Sequence, residues 1–319
     1  MEDEKNDELQ TAEASAEPDL SYKDGKAVAK GGLLGFFIGL AVIVPGVSGA
    51  AVAIIFRLYE KLLFALGNIL KKFKKCFKFL LPIVIGGILG FVGGFFGIKK
   101  LIDLIPFAVV ALFGGLMAGA YPAVTDQIKG EKKTAPRILL FILGLLIPVA
   151  ASLVSVFVYG GNNSLDNLSV WHYLLFLCLG FIVAITQIVP GLSATALLMI
   201  FGYFKSIMAS VSLTYWKSNL RVFIVYVCLV AGFVIGLVTV SKLMSHILER
   251  YKTPSFFCIC GLSLGATVTM FFNPDIYAVY TGWATSGVNV WELILGIALF
   301  VGGIFAAYSL VSRTKTNLN

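Results

Sequence analysis

The stretch "GLAVIVPGVSGAAVAIIFRLYE" (Gly39–Glu60) sets a Pro-Gly pair and then a serine in the middle of an apolar run, and "AITQIVPGLSATALLMIFGYFK" (Ala184–Lys205) does so again. Proline lacks an amide proton and its ring clashes with the preceding turn, so each run reads as two half-helices meeting at Pro45-Gly46 or Pro190-Gly191. Gly31–Val44 and Gly46–Arg57 are then arms of 14 and 12 residues. At about 1.5 Å per residue, such an arm reaches roughly the bilayer midplane. A re-entrant hairpin and a broken spanning helix both fit that length.

The surroundings are those of a membrane protein. Of 319 residues, 58% are hydrophobic and 13% charged, against about 25% charged in an ordinary soluble domain. Apolar blocks fall at 31–57, 79–98, 104–124, 138–159, 173–203, 221–248, 255–272 and 291–311. Most are near the roughly 20 residues that a helix needs to cross lipid. The five cysteines lie mostly inside these blocks, with neither a disulfide framework nor zinc spacing.

The chain is also duplicated. A shift of 145 residues superposes Gly35, Phe36, Ile43, Val44, Pro45, Gly46, Ser48, Ala51, Ile55 and Phe56 on identical residues at 180–201. A shift of 146 brings "GLMAGA" (115–120) onto "GLSLGA" (261–266). The expected organisation is a disordered acidic tail over 1–27, repeat one over 28–160, repeat two over 161–311 and a short tail over 312–319. Residues 1–19 carry eight acids and a single lysine; the rest carries 24 basic and 9 acidic side chains. That balance suits anion handling or contact with anionic lipid, although basic cytoplasmic loops explain much of it.

Lysine and arginine placement decides between the two readings of the broken blocks, because these residues favour cytoplasmic loops. With both blocks re-entrant, 19 basic residues fall inside and 5 outside; with both crossing fully, the division is 14 to 10. The expected fold is therefore an all-α polytopic membrane protein. It is an inverted repeat of a re-entrant Pro-Gly hairpin (31–57, 173–203) plus three transmembrane helices, six spans in all, with both termini cytoplasmic.

Non-helical backbone at membrane depth survives only where protein or a watery cavity satisfies it. Two tips entering from opposite faces would meet near the centre. Each starts a half-helix whose unpaired amides and positive dipole end suit a phosphate or carboxylate. Pro45, Gly46, Ser48 and Gly49, with Pro190, Gly191, Ser193 and Thr195, are the candidate substrate-binding residues. Arg57, Glu60 and Gln187 are candidates for headgroup contact or proton relay. Gly46-Val47-Ser48-Gly49 also matches the G-x-S-G of rhomboid proteases, but a serine nucleophile needs a nearby base. The two histidines, His172 and His246, fall near segment ends. No acidic cluster for a metal is evident, so no metal, cofactor or enzymatic activity is expected. "KKFKKCFKF" (71–79) reads as a segment lying on anionic lipid, not as a nucleic-acid site. "NPDIYAVYTGWATSGVN" (273–289) reads as an external loop.

The doubled motif resembles the bacterial membrane family long called domain of unknown function 368, linked to undecaprenyl phosphate translocation. "VPGVSGAAVAIIFRLYE" (44–60) and "VPGLSATALLMIFGYFK" (189–205) carry the likeness. The resemblance implies return of undecaprenyl phosphate from the outer to the inner leaflet of the bacterial plasma membrane, recycling the carrier for peptidoglycan and other envelope polymers. It carries over Pro45, Gly46, Ser48, Gly49, Glu60, Pro190, Gly191 and Ser193. The chain departs from the pattern at Ala50-Ala51, Arg57, Ala194 and Lys205. The other reading of the same tip chemistry is a secondary transporter or channel for a small soluble anion.

Overall fold

A computed structural model describes residues 17–42, 49–157, 163–166, 168–190, 192, 194–272 and 274–316. Those residues are helical almost throughout, with no strand among them. Repeat one begins with α1 (Gly25–Ala41), α2 (Gly49–Ile55) and α3 (Tyr59–Gly67). The long α4 (Phe73–Gly93) passes through a π-helical turn at Gly94–Ile98 into α5 (Lys99–Leu104); α6 (Pro106–Thr125) and α7 (Ala135–Phe157) follow. Repeat two runs through α8 (Val170–Ile188), α9 (Ala194–Ile200), α10 (Phe204–Ser210), α11 (Leu213–Ser218), α12 (Val222–Arg250), α13 (Lys252–Thr269), α14 (Pro274–Ser286) and α15 (Val290–Thr316).

Local chemistry sets the ends of the two broken blocks. The Asp24 carboxylate caps α1 by accepting from the Ala27 amide at 2.7 Å. Ser169 and His172 form a reciprocal capping box at the start of α8. α8 stops at Ile188 because Val189, the residue before Pro190, is extended (φ −90°, ψ 115°), as the proline ring requires. Pro82, Pro122 and Pro148 lie inside α4, α6 and α7 without ending them. Proline alone is thus survivable here, whereas α8 ends just before Pro190, which glycine follows in the sequence.

Among the described residues, seven helical stretches are long and apolar enough to cross a membrane: 73–104, 106–128, 135–157, 170–188, 222–250, 252–286 and 290–312. Six correspond to the expected spans. The seventh, Val170–Ile188, is the first arm of the second broken block. Two further differences concern segments read as irregular. Residues 274–286 form α14 instead of a loop, the low lysine content there reflecting surroundings and not coil. Within the stretch expected to be a disordered tail, Leu20 and Tyr22 pack against the protein. Leu20 is buried, Tyr22 stacks on Phe79, and its hydroxyl donates to the Phe79 carbonyl at 2.7 Å.

The packing repeats the duplication. α1 lies along α4 as α8 lies along α12, and α6 lies along α15 as α13 lies along α7. Small residues make these close approaches possible in the absence of a hydrophobic drive between helices in lipid. A Cβ at Gly35 would strike the Ile83 carbonyl, and one at the matching Gly180 would strike the Leu229 carbonyl. α6 and α13, the helices that share the "GLMAGA" and "GLSLGA" motifs, are the most buried spans and form the centre.

Gly35→Leu and Gly180→Leu should each lower stability in detergent by about 1–3 kcal/mol or more through overpacking. Gly93→Leu, where an added Cβ meets nothing within 4 Å, should leave the thermal unfolding midpoint nearly unchanged.

Candidate functional site

In each broken block the half-helix after the break packs against the helix before it. The Phe37 ring of α1 lies 6.0 Å from that of Phe56, just past α2. The Phe176 ring of α8 lies 4.9 Å from that of Tyr203, just past α9. Had either block continued straight, residues so far apart in sequence would be separated by more than 25 Å, at about 1.5 Å per residue.

The two blocks then meet. Gly49, the buried first residue of α2, donates its amide proton to Gln187 Oε1 at 3.2 Å. Tyr59, buried at the start of α3, donates its hydroxyl to the Ile188 carbonyl at 2.8 Å. The first bond joins the flank of the first Pro-Gly break to the helix end made by the second; the other ties that same helix end to the start of α3. Their logic is simple: ending α8 strips carbonyls and amides of helical partners, and a buried polar group without a partner costs about 1–3 kcal/mol. The side chains that make this link have no polar counterpart in the other repeat. At the offset of 145 residues, Val42 stands opposite Gln187 and Phe204 opposite Tyr59.

Of the expected binding residues, Gly49 and Pro190 flank this contact, and Thr195 is buried in the first turn of α9. Pro45, Gly46, Ser48, Gly191 and Ser193 lie outside the described residues. Gln187 is placed at the contact. Arg57 and Glu60 are not; they stand at the far end of the first block, where Arg57 faces Asp126 at 3.9 Å and Glu60 pairs with Lys252 at 3.1 Å. His172 is engaged in the cap of α8.

The first half-helix borders an apolar crevice between α1, α6 and α15. Phe37 and Ala41, Val52 and Phe56, Phe113 and Met117, and Leu310 are on its walls.

Both blocks close with the same turn. The amide of Leu58 donates to Ala53 and that of Arg57 to Ile54; in repeat two, Tyr203 donates to Leu198 and Gly202 to Met199. This is the Schellman pattern, which puts its C′ residue in the left-handed region. Gly202 has φ 74° and Arg57 has φ 54°. For a residue with a side chain that conformation costs about 1–2 kcal/mol. Arg57 is the sole described non-glycine residue with positive φ.

Sequence reasoning missed Tyr59. A tyrosine at the head of an amphipathic helix draws no notice; its replacement by Phe204 in the repeat is the available signal.

A family model described as VCA0040-like, undecaprenyl phosphate translocase-like, matches residues 38–286. A polyprenyl-phosphate transporter of Staphylococcus aureus is 25% identical over 292 residues, 89% of this chain and 96% of that one. A polyprenyl-phosphate transporter of Vibrio cholerae is 30% identical over 254 residues, 73% and 74% of the two chains. No solved structure matches the chain.

Tyr59→Phe should cost about 1 kcal/mol by deleting one buried hydrogen bond, and Gln187→Leu about 1–3 kcal/mol by leaving the Gly49 amide without its acceptor. Thermal unfolding of the two single variants and the double variant measures both.

Proposed function

Because this chain belongs to the VCA0040-like, undecaprenyl phosphate translocase-like family, we propose that it moves a polyprenyl phosphate carrier across the bacterial plasma membrane. The substrate we assign is undecaprenyl phosphate, returned from the outer to the inner leaflet for reuse in envelope synthesis. The observation that carries this reading is the hydrogen bond from the Gly49 amide to Gln187, which joins the two broken blocks. It brings the flanks of both Pro-Gly-x-Ser motifs to one place, where a single phosphate would meet donors from both repeats. Pro45, Gly46, Ser48 and Gly49, with Pro190, Gly191, Ser193 and Thr195, are the proposed headgroup residues, backed by Gln187. Arg57 and Glu60 serve the headgroup or a proton at the block's outer end.

In this proposal both blocks are re-entrant, giving six spans and cytoplasmic termini. Contacts near the ends of the helices support it. Tyr22 bonds to Phe79 and Glu17 pairs with Lys72, so the chain on either side of the first block lies at one end of the bundle. Lys252 pairs with Glu60, and two residues on one face must be separated by an even number of crossings. The helices 73–104, 106–128, 135–157 and 222–250 supply four; a crossing by the second block would make five. The remaining basic residues of 71–78 rest on anionic lipid headgroups.

A soluble-anion carrier would share the tip chemistry but needs closed walls. The apolar crevice beside α2 favours the lipid reading, since a polyprenyl tail can leave the site sideways without entering water.

Reconstitution in liposomes with labelled undecaprenyl phosphate is the test. Ser48→Ala and Ser193→Ala should each reduce leaflet transfer about tenfold or more, the loss of one hydrogen bond to a charged group. Transfer equal to the parent in both variants, or parent transfer no faster than protein-free liposomes, would reject the assignment.

A further inference from the structure

We propose that the apolar crevice between α1, α2, α6 and α15 is a slot for the first isoprene units of a prenyl monophosphate, and that this slot is what tells an isoprenoid tail from an acyl chain. The inference rests on the carrier reading above and deepens it: that reading concerns the phosphate, and this one names the residues that select the tail.

Four helices supply the walls. Phe37 stands on α1, Val52 on α2, Phe113 and Met117 on α6, and Leu310 on α15, with Phe56 just past the end of α2. Every lining side chain is apolar. The Phe37 and Phe56 rings are 6.0 Å apart and tilted by 43°, so they meet at an angle and are not stacked. At Val52 the wall is three residues, less than one helical turn, past Gly49, whose amide meets Gln187. At Leu310, which is 53% exposed, it reaches the outside of the bundle. A lipid with its phosphate at the junction of the two blocks therefore has an apolar way out that starts within a turn of its headgroup.

Width and lining choose the occupant. The crevice holds about 90 Å³, well below the roughly 300–1,000 Å³ of pockets that enclose compact small molecules. It takes a slender chain, not a folded soluble ligand. Inside a membrane a tail gains little merely by leaving lipid for an apolar wall, so preference has to come from dispersion and fit. Each isoprene unit has a flat trisubstituted double bond and a methyl branch; a saturated straight chain has neither. Three phenyl rings and a thioether present flat, polarizable surfaces to such a chain. The scaffold does not demand this lining. At the offset of 145 residues Ile182 replaces Phe37, and only Phe56 keeps its ring, as Phe201; at the offset of 146, Ile259 and Ser263 replace Phe113 and Met117. Ile259 is buried, whereas Phe113 is half-buried at the crevice wall.

The test uses the full-length chain in phosphatidylcholine nanodiscs and, as probe, a farnesyl monophosphate analogue bearing a diazirine on its first isoprene unit. Light should attach the probe to peptides from α2, α6 and α15. Farnesyl monophosphate should displace it about tenfold better than dodecyl monophosphate, which has the same phosphate on a saturated, unbranched chain. Leu310→Trp fills the mouth from a half-exposed position, so it should cut labelling about tenfold with an unfolding temperature near the parent's. Ile297→Trp, exposed on the same helix, should leave labelling unchanged. Phe113→Leu should narrow the preference for farnesyl over dodecyl monophosphate while labelling persists. Equal displacement by the two phosphates in the parent would overturn the inference and give the crevice to any acyl chain. Displaceable labelling that maps to other helices, or that Leu310→Trp leaves intact, would overturn it and leave the carrier reading standing. Absence of any labelling that farnesyl monophosphate displaces would overturn both.

Discussion

A helix interrupted deep inside an apolar protein must find partners for the backbone groups it releases, and everything else in this structure is arranged around that need. Lipid offers no hydrogen bonds, so the partners have to come from the chain itself. They come from the other repeat. Gln187, in the last turn before the second break, takes the amide of Gly49 after the first, and Tyr59 caps the Ile188 carbonyl that the break leaves open. Each interruption is tolerable because the other is beside it.

That dependence explains why the duplication is structural and not merely historical. The α1–α4 and α8–α12 pairs, and the α6–α15 and α13–α7 pairs, reproduce one another with glycine contacts at matching positions. The polar details do not. The Gln187 and Tyr59 bonds have apolar residues at the equivalent sites, and the Arg57 turn faces a glycine turn. A symmetric scaffold with asymmetric polar chemistry is what a carrier requires if the two faces of the membrane are to be treated differently. Exchange of the two repeats between their unequal surroundings is a natural route from one facing state to the other.

Much of this was legible in the amino-acid order. The Pro-Gly pairs, the 145-residue offset and the helical, membrane-spanning class followed from residue types and spacing alone. What escaped notice depended on distance in space. The pairing of Glu60 with Lys252 joins residues far apart in the chain, and nothing local foretells it. Arg57 was visible as an oddity, but its left-handed backbone emerges only when Gly202 is seen closing the same turn. Residues 1–27 were expected to be a disordered tail on their charge, and the contacts of Leu20 and Tyr22 with the protein were not foreseen.

The convergence of the two breaks is best tested by joining them. Gly49→Cys and Gln187→Cys, in a chain whose five native cysteines are replaced by alanine, should cross-link readily with a short thiol reagent in native membranes. Neither single variant should do so. Absence of the link in the double variant, while a cysteine pair replacing Phe37 and Phe56 does cross-link, would show that the two interruptions lie apart and would contradict the account.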